Sequence, residues 1–378
     1  MAVTTSNHNG KTEMNEMNAM NKRLSEVIGR IPALDKTAME AAAAHQNQLT
    51  KPPGSLGLLE ELAVQLAGIT GTVTPEFKQK AIIVMAGDHG VCAEGISAFP
   101  AEVTPQMVMN FLAGGAAVNV LARQAGAEVI CVDVGVNADL SHPQLQSRKV
   151  RRGTGNMAQG PAMTREEAVA AILAGVDTVN ECVQAGIRMF STGEMGIGNT
   201  TPSAAILCAL TGLAPEEAVG RGTGIGDAQW THKCNVVRQA LEVNQPDRND
   251  ALDVLAKVGG LEIAGLAGVI LGAAAHRLPV VVDGFISSAA ALAAVRLAPA
   301  AQPYLIASHL SEERGHAALL AELGLKPGLH LNMRLGEGTG GALMFPVIDA
   351  SLRIMQEMAT FAQAGVSNKD TDDSEGQA

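Results

Sequence analysis

The sequence predicts an α/β protein with an open, mostly parallel sheet and helices on both of its faces. Three observations carry this expectation. Short, continuously apolar runs recur along the chain, as strands buried on both faces require. Longer stretches of helical periodicity separate them, which gives a βα alternation. Most of the runs end in a loop of glycine and hydroxyl residues, where an open parallel sheet holds its ligands.

Strands are expected at 81–86 (AIIVMA), 128–134 (EVICVDV), 187–191 (IRMFS), 279–283 (PVVVD), 304–308 (YLIAS) and 330–335 (HLNMRL). The clearest helix starts at a capping box of Thr164 and Glu167 and ends near Gly186. The most apolar run, 263–275, is too short to span a bilayer and rich in Gly and Ala, so it reads as a buried core helix. Two helical regions lie outside the alternation, at 21–75 and 346–365. They are expected to pair as one small helical domain beside an α/β domain at 76–345. The Asn/Met-rich lead at 1–20 and the acidic end at 366–378 are expected to be disordered.

Composition narrows the function classes. Of 378 residues, 47% are hydrophobic and 17% charged, which supplies a sizeable core. A net charge of −11 with one Trp and one Tyr argues against nucleic acid, which needs basic patches and stacking platforms. Cys92, Cys131, Cys182, Cys208 and Cys234 form no spaced pair and read as reduced thiols. The first residues contain no apolar signal core. The expectation is a cytoplasmic protein with no membrane span.

The strand-end loops hold the chemistry. They are GDHGV at 87–91, TGEMGIGNTT at 192–201, SHLSEERG at 308–315 and GEGTGG at 336–341, with a further glycine loop, GRGTGIGD, at 220–227. Glycines admit backbone N–H groups close to an anion, and a helix N-terminus adds positive potential, so an acidic chain can still hold a phosphate. Asn199, Thr200 and Thr201 add side-chain donors and Lys233 a cation; plain tight turns are the alternative reading. Glu194 and Glu337 each sit among glycines at a strand end. There a carboxylate is poorly solvated and can have the raised pKa of a general base.

Other signals are weaker. Gly336, Gly338 and Gly341 fit G-x-G-x-x-G, but no second strand follows to complete a dinucleotide unit. The run at 280–284 has half of a diphosphate-sugar signature, with Gly284 where a second acid would follow Asp283. No histidine cluster has zinc spacing. Asp88 and His89 are expected to line a pocket or fix a loop, His309 to lie in a strand-end loop and His316 on a helix face.

Six blocks in unbroken order resemble the nicotinate-nucleotide–dimethylbenzimidazole phosphoribosyltransferase family: KPPGSLG at 51–57, AGDHG at 86–90, STGEMGIGNTT at 191–201, GRGTG at 220–224, VDGF at 282–285 and RLGEGTG at 334–340. The resemblance covers roughly residues 40–365. It implies a six-stranded Rossmann-like domain, a small helical domain from both chain ends, and a homodimer with no metal or other cofactor. It implies transfer of phosphoribosyl from nicotinate mononucleotide to a benzimidazole-type base, in the lower-ligand branch of cobalamin synthesis. Glu337 would be the catalytic base and Glu194 a supporting carboxylate. Contacts to the base would fall on Phe99, Gln106, Met195 and Leu335, and contacts to the phosphate on Gly196, Gly198, Asn199, Lys233 and Ser311. The competing readings are a transferase dependent on phosphoribosyl diphosphate and magnesium, and a non-catalytic nucleotide sensor.

Overall fold

The computed structural model describes residues 6–221 and 226–367, with the side chains of the first helix described from Asn15 onward. It contains a six-stranded sheet of β1 (Lys80–Gly87), β2 (Ala127–Gly135), β3 (Gln146–Ser147), β4 (Met189–Met195), β5 (Val280–Val282) and β6 (Leu305–Ala307). The order is β3-β2-β1-β4-β5-β6, and every pairing is parallel. The chain runs outward from β1 through β2 and β3, then returns to β4 on the other side of β1. That reversal opens a crevice at the carboxyl ends of β1 and β4, where ligands bind in open parallel sheets.

Every residue of β1 and of β4 is buried, and for β1 that is what an apolar run without alternation requires. The helix Leu261–Ala275 is buried from Leu261 to Ala274. Its glycines explain part of the chain's glycine content. A Cβ on Gly268 would lie 1.8 Å from the Ile172 carbonyl oxygen, and one on Gly175 would lie 2.0 Å from that of Gly265. The helices Arg165–Gln184 and Leu261–Ala275 thus touch backbone to backbone, a distance closed to any side chain. The capping box is formed: Thr164 Oγ1 accepts from Glu167 N at 3.1 Å, and Glu167 Oε2 accepts from Thr164 N at 2.8 Å. Among the described residues no helix is long and apolar enough to cross a membrane.

The chain divides into two compact units: Met1–Pro32 with Lys78–Met344, and Ala33–Phe77 with Phe345–Ala378. The first unit holds the sheet. The lead expected to be disordered through residue 20 is helical over Ser6–Gly29, and residues 21–32 belong with the sheet unit rather than with the helical one. The reason lies at its end: Leu24, Val27 and Ile31 are buried, and Tyr304 Oη donates to the Pro32 carbonyl at 2.9 Å. Residues 1–5, and 368–378 of the expected acidic tail, lie outside the described residues.

The second unit packs Ala38, Ala42, Leu49, Ala63, Ala67 and Met355 into its own core. Its KPPGSLG turn is tied down by one carboxylate. Glu60 accepts from Gly54 N at 3.1 Å and Leu56 N at 2.9 Å, and pairs with Lys51 Nζ at 2.9 Å.

Two strand expectations need correction. Residues 330–335 form no strand: Asn332 has φ of +53°, Leu331 and Leu335 are about half exposed, and the segment runs as a loop. The sixth strand is instead the two-residue Gln146–Ser147. Further, β4 continues past residue 191 to Met195, because its ladder with β1 persists through Met85↔Glu194 and Ala86↔Met195. Glu194 therefore sits on a strand and not within a glycine loop.

Candidate active site

A cavity of about 820 Å³ opens at the β1/β4 switch point, a size that suits a small organic substrate. One wall is apolar and includes Val103, Met107, Leu121 and Ile197, with Phe99 (52% exposed) and Leu335 (55% exposed) at the rim. Thr200, Lys233, Ser311 and Glu313 also line the cavity. Glu194 and Glu337 both line the cavity and are both buried.

Glu337 is held in an unusual backbone. Its φ is +64°, and Gly336 and Gly338 beside it have φ of +82° and +92°. Three successive left-handed residues, the central one not glycine, form a strained turn of the kind found at functional sites. Asp283, buried at the end of β5, holds this turn. Its Oδ2 accepts from Gly338 N at 2.9 Å, and its Oδ1 accepts from Gly340 N at 2.7 Å and Gly341 N at 3.2 Å. A negative charge there also suits the N-terminus of the helix Thr339–Glu357 that follows. The turn lies against β4: a Cβ on Gly193 would meet the Glu337 carbonyl oxygen at 2.6 Å.

The two glutamates differ in partners. Glu194 Oε1 accepts from Glu337 N at 3.1 Å, and its Oε2 accepts from Asn199 Nδ2 at 2.5 Å. The Glu337 carboxyl makes no hydrogen bond among the described residues. Burial pushes Glu194 up to about 7 despite those two bonds. Burial, assisted by the nearby Asp283 charge, pushes Glu337 up to about 7 as well.

Lys233 Nζ donates to Thr200 Oγ1 at 2.6 Å. Burial pulls this ammonium down to about 8, against the opposing pull of Glu313. Ser311 Oγ accepts from Glu313 N at 3.3 Å, and Ser311 N donates to His316 Nδ1 at 2.8 Å. The imidazole of His316 is buried and neutral, pushed down to about 3 by burial and by His309. The turn Gly196–Ile197–Gly198–Asn199 opens the helix Thr200–Thr211 and lines the same cavity.

The structure thus gathers Glu194, Glu337, Phe99, Met195, Leu335, Gly196, Gly198, Asn199, Lys233 and Ser311 on one cavity. Gln106 is not among the lining residues. It is exposed on the helix Val103–Leu112, about 100° around the axis from Met107, which does face the cavity. The sequence reading missed Val103, Met107 and Glu313. The first two would follow from the amphipathic pattern of that helix once its cavity-facing side is known. Residues 222–225 of the expected glycine loop at 220–227 lie outside the described residues.

His89 is not among the residues that line this cavity. It is buried, with Nε2 2.7 Å from Glu262 Oε1. Among the described residues no group of three or more His, Cys, Asp or Glu side chains could hold a metal ion.

A family model described as phosphoribosyltransferase matches residues 31–366. The chain is 58% identical over 347 residues to the nicotinate-nucleotide–dimethylbenzimidazole phosphoribosyltransferase of Chloroflexus aggregans, covering 92% of this chain and 98% of that protein. It is 57% identical over 346 residues to the protein of the same name from Desulforamulus reducens, covering 91% and 99%. A crystal structure of the protein of that name from Thermus thermophilus superposes with a TM-score of 0.85 at 48% identity. That match covers 89% of this chain and all of the other.

Proposed function

This chain belongs to the phosphoribosyltransferase family, and on that premise we propose that it transfers the phosphoribosyl group of nicotinate mononucleotide to 5,6-dimethylbenzimidazole or a related azole. The products are α-ribazole 5′-phosphate and nicotinate, and the reaction supplies the lower ligand of cobalamin.

The observation that carries this reading is a carboxyl, Glu337, that is buried and free of hydrogen bonds among the described residues, in a largely apolar cavity that a buried ammonium also lines. The donor's ring nitrogen is already cationic, so its bond to C1′ can break with the electron pair going to a neutral pyridine nitrogen. The azole attacks C1′ with its unprotonated nitrogen, and the proton on its other nitrogen passes to Glu337. Attack from the face opposite the leaving group converts a β-linked donor into an α-linked product. A base near pH 7 suits that transfer, because it is ionised at neutral pH yet still basic. The carboxylates also favour the pyridinium before it departs.

In this reading Phe99, Met195 and Leu335 contact the flat base. Gly196, Gly198, Asn199, Lys233 and Ser311 receive the phosphate, the backbone N–H groups at a helix N-terminus serving as donors. Glu194 supports Glu337 by accepting its backbone N–H. The enzyme works without a metal cofactor, as a homodimer in the cytoplasm.

Incubation with nicotinate mononucleotide and dimethylbenzimidazole, followed by mass spectrometry, tests the reaction. The expected result is α-riboside phosphate with equimolar nicotinate. Binding of the mononucleotide without nicotinate release for any azole would favour a sensor instead.

A further inference from the structure

His316 is a buried imidazole that the reaction above does not use, and both of its ring nitrogens are engaged. Ser311 N lies 2.8 Å from Nδ1. A backbone N–H can only donate, so Nδ1 carries no hydrogen and accepts. The hydrogen of the neutral ring is then on Nε2, which donates to Ser288 Oγ at 3.0 Å. Ser288 is buried on the helix Phe285–Leu297, whose first residues line the cavity. One imidazole, in one tautomer, therefore ties the Ser311 loop to that helix.

The bonds of this loop decide what Ser311 offers to a ligand. Its backbone N–H is spent on His316. Its Oγ accepts from Glu313 N at 3.3 Å, and His316 N donates to the Glu313 carbonyl at 3.0 Å, which closes the loop on itself. A hydroxyl that accepts still has one hydrogen to give. Ser311 lines the cavity, so that hydrogen is available to a ligand there. The loop has little slack, since a Cβ on Gly315 would meet the Ala218 carbonyl oxygen at 2.7 Å and Phe285 Cε2 at 2.8 Å.

We propose that His316 is a positioning residue of the phosphate site: it holds the Ser311 backbone so that the serine hydroxyl, and not the N–H, faces the donor's phosphate. It touches neither ligand nor reacting atoms and is not catalytic. The inference rests on the reading that Ser311 receives the phosphate. A helix cap would be the plainer role, but a cap serves the first N–H groups of its own helix. His316 begins the helix His316–Leu323 and serves an N–H five residues before it. Burial and His309 push its pKa down to about 3, so Nδ1 remains an acceptor at neutral pH.

Two ligands isolate the effect: nicotinate mononucleotide and its dephosphorylated riboside. Calorimetry without azole gives the ratio of their Kd values, the phosphate advantage. His316→Asn keeps a carbonyl oxygen near the place of Nδ1, where it can accept from Ser311 N. His316→Gln carries its amide out to the place of Nε2 and serves only Ser288. The phosphate advantage should fall about tenfold in His316→Gln, with riboside binding nearly unchanged, and stay within about threefold of wild type in His316→Asn. A role in stability alone would lower the melting temperature of both variants and leave the ratio alone. An unchanged ratio in His316→Gln, equal losses in the two variants, or equal losses for both ligands would overturn the proposal.

Ser311→Ala leaves the backbone bond to His316 in place and should also lower the advantage about tenfold. An unchanged value there would overturn the phosphate contact itself and the clamp with it. A loss in Ser311→Ala without one in His316→Gln would overturn the clamp alone. Should the His316 variants fold poorly, the nitrogen spectrum of histidine-labelled wild type decides the matter. At neutral pH it should contain an imidazole with bare Nδ1 and hydrogen on Nε2. Its signals should move in Ser288→Ala, and on adding the mononucleotide but not the riboside. The absence of such an imidazole would equally overturn the idea.

Discussion

The end of β4 and the turn after residue 335 each present a buried glutamate to the same cavity, yet the two carboxyls are built differently. Glu194 lies on a strand, and both of its oxygens are engaged, one by Glu337 N and one by Asn199 Nδ2. Glu337 lies in a left-handed turn, and its backbone rather than its side chain is held. An engaged carboxylate resists any change of protonation that would break its bonds. An unengaged one can take up a proton with little rearrangement. In the proposed reaction this difference favours Glu337 for proton transfer and Glu194 for scaffolding, although both are pushed up to about 7.

The largest expected effect breaks this comparison directly. Glu337→Gln keeps shape but cannot accept the azole proton, and loss of a general base costs ~10²–10⁴ in kcat. Glu194→Gln should cost only about tenfold, the size of one weakened charge-assisted hydrogen bond. Saturating turnover of both variants decides it, and the opposite ranking would exchange the two roles.

The pH dependence sharpens the same point. Because the folded pKa of Glu337 is raised, its ionised fraction grows as pH rises through about 7, so kcat should climb there and level off. The sign for stability is the reverse. The stability associated with the protonated form is complete below about 4.5 and is lost as pH rises through about 7. Glu337→Gln should therefore melt higher than wild type at pH 8, with the gain shrinking toward pH 4.5.

A subtler break separates the backbone from the carboxyl. Gly193→Ala would drive a Cβ to 2.6 Å from the Glu337 carbonyl oxygen. The turn must shift, and a shift of about 1 Å at a reacting group can cost ~10²-fold. We expect kcat to fall by roughly 10–100-fold while KM for the mononucleotide stays near wild type, since Lys233 and Ser311 are untouched. A large rise in that KM would mean that the turn and these two residues are not independent.

Much of this arrangement is legible in the sequence, for physical reasons. A continuous apolar run marks β1 because a strand covered on both faces tolerates no polar alternation. Glycines mark close approaches of the chain to itself, as at Gly193 on β4 and Gly338 in the turn. The misses have equally local causes. HLNMRL at 330–335 alternates like a strand, but the left-handed Asn332 turns it into the cavity rim. Gln146–Ser147 is too short to leave a pattern. Glu194 reads as a loop residue, since Thr-Gly-Glu is a poor strand former and only the partner strand β1 keeps it extended. Glu313 reaches the cavity through tertiary packing, which no spacing encodes.

A smaller effect belongs to the ammonium that lines the cavity. Lys233→Ala removes a cation that contacts the phosphate equally in the ground and transition states in the proposed reaction. Such uniform binding appears in KM, with kcat little changed. We expect KM for the mononucleotide to rise roughly tenfold or more. In the wild type, KM should also rise above about pH 8, where Lys233 loses its proton. Equal losses in kcat would bring Lys233 into the chemistry beside the two glutamates.

The smallest expected effect is that of a chelator, and the reason is again which carboxylates are engaged. A transferase using phosphoribosyl diphosphate needs acidic oxygens for magnesium, and Asp283 is the residue whose sequence context resembles such a site. Both of its oxygens are instead committed to backbone donors, Oδ2 to Gly338 and Oδ1 to Gly340 and Gly341. Recruiting it to a metal would release the turn that carries Glu337. A step whose leaving group is already cationic needs no metal to assist it. Turnover of nicotinate mononucleotide in excess EDTA should equal that without it. A strict requirement for added magnesium would mean that Asp283 gives up those N–H groups during turnover, and the contrast between a held Glu194 and a free Glu337 would have to be redrawn around a metal.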